Sequence, residues 1–148
     1  MKWIGITQRV EDVTEYPERR DALDQRWHEF LWECGLCPLI FPNHLPTVGL
    51  FVGQLPLEGF ILTGGNSLTN YGGIAPERDE VEFFLLKHAL ANSIPLIGVC
   101  RGMQVIQHYF DISLYPVEGH VQSQQVILVE DGFRVVNSYH NLGTRENI

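Results

Sequence analysis

The feature that most constrains this chain is the sequence Gly98-Val99-Cys100-Arg101-Gly102, which joins an apolar run to a helical pattern. Residues 94–99 have the composition of a buried strand, and an apolar helical spacing begins directly after Cys100. A G-x-C-x-G sequence at such a join has the form of a nucleophile elbow, a sharp turn that exposes the central side chain. The glycines permit the turn because they carry no Cβ. The pattern predicts that Cys100 projects from the carboxyl end of a strand.

The predicted position of Cys100 suits a nucleophile. At the positive end of a helix and beside Arg101, its thiolate is favoured over its thiol. The amide N–H of Arg101 is then placed to face the negative oxygen of a reacting carbonyl. The alternative is that Cys100 is a small buried residue at the end of a core strand. The flanking glycines favour the elbow.

Apolar runs and helical spacings alternate from the N-terminus to about residue 110. We predict strands over residues 2–7, 38–41, 59–62 and 94–99, and helices over residues 19–34, 48–52, 77–91 and 100–110. Residues 10–17 are predicted to form a loop. The alternation indicates an α/β fold, a doubly wound and mostly parallel sheet with helices on both faces. Residues 121–130 and 133–138 are predicted to form two further strands joined by a turn at Asp131-Gly132.

Unusual polar or glycine-rich segments follow three of the predicted strands, at residues 7–9, at residues 64–66 and at Cys100. Ligands bind at the carboxyl ends of the strands in such sheets, so the three segments predict one site. A backbone N–H of the Gly64-Gly65 pair can approach a reacting carbonyl closely. Together with the Arg101 N–H, Gly65 would complete an oxyanion hole. The alternative is a plain tight turn.

Size and composition limit the remaining classes of function. A chain of 148 residues, 45% hydrophobic and 19% charged, suggests one domain with a real core. A net charge of −8 argues against non-specific binding to nucleic acid or to an anionic membrane. We find no signal-peptide pattern and no run long enough to span a bilayer. Three cysteines do not form a disulfide framework, so we expect a cytoplasmic protein.

Other reactive residues give weaker signals. A thiol nucleophile requires a base, and of the six histidines we consider His120 and His140 able to line a cleft, although neither has an acidic partner close in sequence. The C-x-x-C pair at Cys34 and Cys37 ends a predicted helix, and we interpret it as structural because one pair cannot form a four-cysteine zinc site. We interpret three charged residues at the start of a helix as dipole partners and surface ion pairs, with a supporting role near the Gly72-Gly73 loop as the alternative: Arg78, Asp79 and Glu82.

Six stretches spread along the chain resemble the class I glutamine amidotransferase-like superfamily: MKWIGITQR, EGFILTGGNSL, PERDEVE, PLIGVCRGMQ, EGHVQ and VNSYHN. The closer resemblance is to its γ-glutamyl hydrolase branch, which includes the γ-glutamyl-γ-aminobutyrate hydrolases. The opening stretch and the compact length also resemble a narrower group that cleaves γ-glutamyl phosphoramidate-linked nucleotides during capsular polysaccharide modification. The resemblance implies the flavodoxin-like fold of the superfamily.

The resemblance also implies roles for individual residues. Cys100 would form a γ-glutamyl thioester, and the N–H groups of Gly65 and Arg101 would form the oxyanion hole. Gln104 would help to hold the glutamyl α-amino and α-carboxylate groups, together with a segment formed by Ser138, Tyr139 and His140. The substrate would be a small γ-glutamyl compound, and no cofactor or metal would be required. A homodimer is compatible with this resemblance, and the oligomeric state stays open.

One element of the resemblance is missing. The superfamily branch has a catalytic histidine followed two residues later by glutamate, located after the N-S-x-H segment, and none of the six histidines here has glutamate at that spacing. We therefore expect residues 1–148 to be a single domain truncated before this base, and inactive without it. Three alternatives remain: a glutaminase subunit that supplies ammonia to a synthase partner, a non-catalytic binding domain on the same fold, and a cysteine redox sensor.

Overall fold

A computed structural model describes residues 1–146 of the chain. The elements in chain order are β1 (Lys2–Ile6), β2 (Arg9–Asp12), β3 (Arg19–Ala22), α1 (Arg26–Glu33), β4 (Leu36–Ile40), α2 (Leu45–Gln54), β5 (Leu57–Leu62), α3 (Pro76–Asn92), β6 (Leu96–Gly98), α4 (Arg101–Tyr109), β7 (Tyr115–Pro116), β8 (Val121–Val129), β9 (Gly132–Tyr139) and β10 (Leu142–Gly143). The chain divides into two compact units, Met1–Ile106 and Gln107–Ile148.

The centre of the first unit is a four-stranded sheet in the order β4-β1-β5-β6. All three neighbouring pairs are parallel. The chain passes from β1 to β4 on one side, and then to β5 and β6 on the other side of β1. The strand order therefore reverses at β1, and the carboxyl ends of β1 and β5 flank the switch point at which such sheets bind ligands.

The two faces of this sheet pack against different helices, because successive side chains of a strand point to opposite faces. On one face, Ile4, Ile6 and Ile61 form a buried cluster with Leu31 of α1. On the other face, the ring of Phe60 lies 6.1 Å from that of Phe41, and contacts reach Phe51 of α2 and His88 of α3. Helices therefore cover both faces, which confirms the predicted doubly wound α/β class.

The segment between β1 and α1 differs from the prediction. The helix predicted over residues 19–34 is limited to Arg26–Glu33, and the predicted loop over residues 10–17 is partly strand, because β2 and β3 form an antiparallel hairpin. Arg19 pairs with Asp12 at 2.9 Å across this hairpin. The helix begins only after Asp24, whose Oδ1 accepts the N–H of Arg26 at 3.0 Å. Cross-strand pairing overrides the helical spacing in this stretch.

The second unit contains an antiparallel hairpin of β8 and β9, as the sequence predicts, with Val126 opposite Val135. Much of its apolar surface is exposed, including 73% of Leu128 and 73% of Phe133. A short antiparallel pair of β7 and β10 accompanies it. Across residues 1–146, none of the helices has the length and apolar character needed to cross a membrane.

Candidate active site

The turn between β6 and α4 has the backbone of an elbow. Cys100 lies between the last residue of β6 and the first residue of α4. Its φ of +55° is in the left-handed region, which non-glycine residues rarely adopt. A residue held in that region costs about 1–3 kcal/mol and persists only where the surrounding structure enforces it. The predicted elbow is therefore present, with a half-buried Cys100 at its apex.

Close backbone contacts explain why glycines flank the elbow. A Cβ on Gly98 would lie 2.5 Å from the carbonyl carbon of Gly102, and a Cβ on Gly102 would lie 2.1 Å from the carbonyl oxygen of Leu62. No real side chain fits at either distance. The start of α4 can therefore pack directly against the ends of β5 and β6 only because both positions are glycine.

The glycine-rich loop after β5 lies next to this elbow. A Cβ on Gly64 would lie 3.4 Å from the Cβ of Cys100 and 3.8 Å from its Sγ. The N–H of Val99 donates to the carbonyl of Leu62 at 2.9 Å, which holds the two strands together directly before the loop and the elbow. Gly65 has a φ of +85°. The structure thus brings together the loop and the cysteine that the sequence predicts to share one site.

A buried arginine of α3 fixes the peptide groups of this loop. The guanidinium of Arg78 donates to the carbonyls of Thr63 at 2.8 Å, Gly64 at 3.0 Å and Gly65 at 2.5 Å. The peptide between Gly64 and Gly65 is planar and trans, so its N–H points opposite to its C=O. Arg78 therefore directs the Gly65 N–H away from its own guanidinium. It is the direction of this N–H that decides whether Gly65 can donate to an oxyanion.

One carboxylate connects the loop to the elbow. Glu82 Oε1 accepts from Arg78 Nε at 3.0 Å and from Thr7 Oγ1 at 2.8 Å, and Glu82 Oε2 pairs with Arg101 Nη1. Arg101 Nη2 pairs with Asp79, whose other oxygen accepts the N–H of Thr69 at 2.9 Å. We call Arg78, Asp79, Glu82 and Arg101 the buried ion cluster. Burial lowers the pKa of Arg78, and the neighbouring Glu82 opposes that shift.

The buried ion cluster corrects two interpretations of the sequence. Arg78, Asp79 and Glu82 are not surface partners, since their exposed fractions are 0%, 6% and 0%. The guanidinium of Arg101 is paired with Asp79 and Glu82, so its charge is already compensated by carboxylates. Helical periodicity could have predicted that Arg78 and Glu82 are buried. Positions 78, 82, 85 and 89 share one face of α3, and the apolar residues at 85 and 89 indicate that this face is buried.

The remaining predicted substrate residues lie in two places. Gln104 is buried in α4, and its N–H donates to the Cys100 carbonyl at 3.2 Å. Within the second unit, Ser138 Oγ donates to the carbonyl of His120 at 2.7 Å, and Tyr139 is exposed. Gly65, Cys100, Arg101 and Gln104 therefore belong to the first unit, and the 138–140 segment belongs to the second.

A contact between His120 and His140 was missed from the sequence. His120 Nδ1 and His140 Nε2 lie 2.8 Å apart. Burial and the neighbouring His120 lower the pKa of His140. The predicted hairpin, with its turn at Asp131-Gly132, does not bring these positions together, because their contact depends on a register that pairs Val121 with Tyr139 and shifts between Gln122 and Gln125.

The C-x-x-C pair lies at the end of α1 and in β4. Cys34 directly follows α1 and is exposed, and Cys37 is half-buried in β4. Both are free thiols. In the part of the chain that the structure describes, no group of three or more His, Cys, Asp or Glu residues is arranged to hold a metal ion.

A parallel sheet with a cysteine elbow after one strand and a glycine loop after its neighbour defines the class I glutamine amidotransferase-like group of α/β proteins. The chain belongs to the Peptidase C26 family of that group, whose sequence model matches residues 2–147.

Individual relatives agree with this assignment. The chain is 32% identical over 146 residues to a γ-glutamyl-CDP-amidate hydrolase of Campylobacter jejuni, covering 94% of this chain and 70% of that protein. It is 36% identical over 105 residues to a Schizosaccharomyces pombe protein described as a glutamine amidotransferase, covering 62% of this chain and 39% of that protein. A crystal structure from Thermoplasma acidophilum, described as part of a GMP synthase, shares the fold, with a TM-score of 0.68, 18% identity and coverage of 98% of this chain and 67% of that one.

Proposed function

We propose that this chain carries the nucleophile of a cysteine-dependent hydrolase that cleaves a γ-glutamyl amide bond and releases glutamate. The observation that carries the proposal is the left-handed Cys100 at the elbow, next to a Gly64-Gly65 loop on which a Cβ at Gly64 would lie 3.8 Å from the Cys100 Sγ. Membership of the Peptidase C26 family supports a hydrolase acting on C–N bonds. Similarity to the Campylobacter jejuni enzyme supports a γ-glutamyl phosphoramidate nucleotide as the substrate.

In the proposed reaction, the Cys100 thiolate attacks the γ-carbonyl carbon and forms a C–S bond. The carbonyl oxygen becomes an oxyanion that accepts hydrogen bonds from the N–H groups of Gly65 and Arg101. The Arg101 N–H is available because the first N–H groups of a helix lack a carbonyl one turn earlier. The C–N bond of the tetrahedral intermediate then breaks, the nitrogen takes up a proton from solvent, and a γ-glutamyl thioester remains.

Water completes the proposed reaction by attacking the thioester carbonyl. The C–S bond breaks, glutamate leaves with its γ-carboxylate restored, Cys100 returns as a thiolate, and the two protons of the water pass to solvent. Gln104 is proposed to hold the glutamyl α-amino and α-carboxylate groups, since it is buried one helical turn beyond Cys100. The roles of Ser138, Tyr139 and His140 in substrate binding remain predictions. We propose the cytoplasm as the compartment, because all three cysteines are free thiols.

Alkylation by a glutamine-analogue chloroketone tests the acylation half of this proposal on the 148-residue chain. Thiolate displaces chloride and leaves a stable thioether, whose position is read by intact and peptide mass spectrometry. Cys34 is exposed and serves as an internal control thiol. We expect the ratio of Cys100 to Cys34 labelling to be at least tenfold higher with this reagent than with chloroacetone, which has no glutamyl portion. Equal ratios with the two reagents would contradict a glutamyl site at Cys100.

A second candidate is a glutaminase that passes ammonia to a synthase. Similarity to the Schizosaccharomyces pombe protein described as a glutamine amidotransferase favours it. The two functions differ in the preferred substrate and in their dependence on a partner. Hydrolysis of a γ-glutamyl phosphoramidate in the absence of a synthase would favour the stand-alone hydrolase. Glutamine hydrolysis that appears only with a synthase would favour the glutaminase.

A further inference from the structure

A cleft of about 130 Å³ opens where the strand order of the sheet reverses. Its lining includes Arg9 just after β1, Thr63 and Gly64 just after β5, and Asp24 and Trp27 at the start of α1. In open α/β sheets, ligands bind outside the carboxyl ends of the strands at this switch point. The function proposed above places its chemistry at the end of β6 and leaves this cleft unused.

The cleft begins next to the proposed reaction centre. Gly64 lines it, and a Cβ on Gly64 would lie 3.4 Å from the Cβ of Cys100. Arg9 packs on the next residue of the loop, since a Cβ on Gly65 would lie 2.8 Å from Arg9 Cδ and 3.1 Å from Arg9 Cβ. A group bonded to a carbonyl held by the Gly65 N–H is therefore within reach of the Arg9 side chain.

The charges around the cleft are not equally available to a ligand. Asp24 is held by Arg26, with Nη2 to Oδ2 at 2.6 Å and Nε to Oδ2 at 3.1 Å. Hydrogen bonds from Arg26, with a smaller contribution from the charge of Arg9, lower the pKa of Asp24 to about 2, so this carboxylate is ionised and already paired with Arg26. Arg9 pairs with Glu11, and both side chains are about half exposed. Water competes for such a pair, so an incoming anion can replace Glu11 on Arg9.

Aromatic rings continue the cleft outward along α1. Trp27 lines the cleft and also borders a shallow, open surface depression together with Phe30 and Arg26. The rings of Trp27 and Phe30 lie 6.0 Å apart in an edge-to-face arrangement. A guanidinium binds phosphate oxygens well, and an aromatic face stacks on a nucleobase. Arg9 and Trp27 therefore bring a cation and an aromatic surface to the same cleft.

We infer that this cleft binds the leaving group of the γ-glutamyl substrate and favours one that carries a phosphate next to the scissile nitrogen and an aromatic base beyond it. Arg9 contacts the phosphate, and Trp27 contacts the base. The inference rests on the proposed function and adds the residues that recognise the leaving group.

The test titrates the 148-residue chain with two probes, cytidine 5′-diphosphate and inorganic pyrophosphate, by isothermal calorimetry. We expect Arg9→Gln to weaken binding of both probes at least tenfold. We expect Trp27→Leu to weaken the nucleotide at least fivefold and pyrophosphate less than twofold. Arg20→Gln is the matched control, because Arg20 pairs with Glu18 on the same hairpin and does not line the cleft. Equal affinities in the Arg9 and Arg20 variants, or no binding of either probe, would overturn the inference.

Labelling of Cys100 by the glutamine-analogue chloroketone is measured on the same preparations. Labelling without diphosphate binding overturns the cleft inference and leaves the proposed function standing. Diphosphate binding without glutamyl-specific labelling overturns the proposed function and, with it, the role of the cleft in binding a leaving group. Only the combination of both positive results supports a nucleotide leaving group.

Discussion

The first unit holds two sets of charged residues that differ in how they are solvated. The buried ion cluster has two arginines and two carboxylates, removed from water and joined to the loop and the elbow. The hairpin formed by β2 and β3 carries exposed pairs such as Arg9 with Glu11 and Arg20 with Glu18. A buried pair must remain complete because an uncompensated buried charge is costly, whereas an exposed pair exchanges with water. The buried ion cluster is therefore suited to holding the backbone in place, and the exposed pairs of the hairpin are suited to binding ligands.

The largest expected difference in the free energy of unfolding is between two variants, each of which replaces one carboxylate from one of the two sets. Glu82→Gln preserves shape but leaves Arg78 and Arg101 facing only Asp79. We expect a loss of about 3–5 kcal/mol in the free energy of unfolding, measured by urea denaturation, because a buried charge loses its partner. The same change at Glu11 is expected to alter stability by less than about 0.5 kcal/mol, since that side chain is half exposed. Similar losses in the two variants would remove the distinction between the sets.

A comparison of two helical glycines tests whether close packing, as well as charge, holds the elbow. Gly102→Ala places a Cβ 2.1 Å from the Leu62 carbonyl oxygen, and we expect a loss of about 1–3 kcal/mol from overpacking, with slower labelling of Cys100. Gly53→Ala is the control, because no atom outside its chain neighbours and the local backbone of α2 lies within 4 Å of its Cβ position. Alanine there is expected to stabilise α2 by about 0.5–1 kcal/mol. A neutral Gly102→Ala would show that the elbow relaxes freely.

Sequence reasoning located the parts of the site that depend on local backbone geometry. The elbow at Cys100 and the Gly64-Gly65 loop are readable because glycines at fixed positions permit conformations that other residues cannot adopt. The parallel sheet is readable for a similar reason, since apolar runs alternate with helical spacings. Each of these elements can be recognised from residues that are close together in the sequence.

The supporting charges could not be found in the same way. Glu82 receives hydrogen bonds from Thr7, 75 positions away, and from Arg101, 19 positions away. A charged residue is expected at the surface unless a partner compensates it, and local sequence does not show such partners. The same limit explains the error at α1, where pairing of β3 with β2 decides the structure of residues whose own spacing favours a helix.

Arg78→Lys separates the charge of the buried ion cluster from its geometry. Lysine keeps the positive charge but cannot donate to three loop carbonyls and to Glu82 at once. We expect about a tenfold slower labelling of Cys100 by the glutamine-analogue chloroketone, because the Gly65 N–H proposed to hold the carbonyl oxygen of the bound reagent loses its fixed direction. The rate with iodoacetamide, which has no glutamyl portion to place its carbonyl at Gly65, should change less than twofold. Equal slowing with both reagents would indicate general damage to the elbow, and Arg20→Lys is the exposed control.

His140 of the second unit gives the smallest expected effect, since it is only partly removed from water. Its pKa in the folded state lies below the ordinary value of 6.5, first because of burial and then because of His120. As pH falls below 6.5, the unfolded chain therefore binds a proton before the folded chain does, and stability is lost until the pH reaches the folded-state pKa. We expect His140→Gln to reduce the stability difference between about pH 7.5 and 5.5 by less than about 1 kcal/mol. His28→Gln, on the exposed side of α1, is the control variant. An equal change in both variants would contradict a lowered pKa at His140.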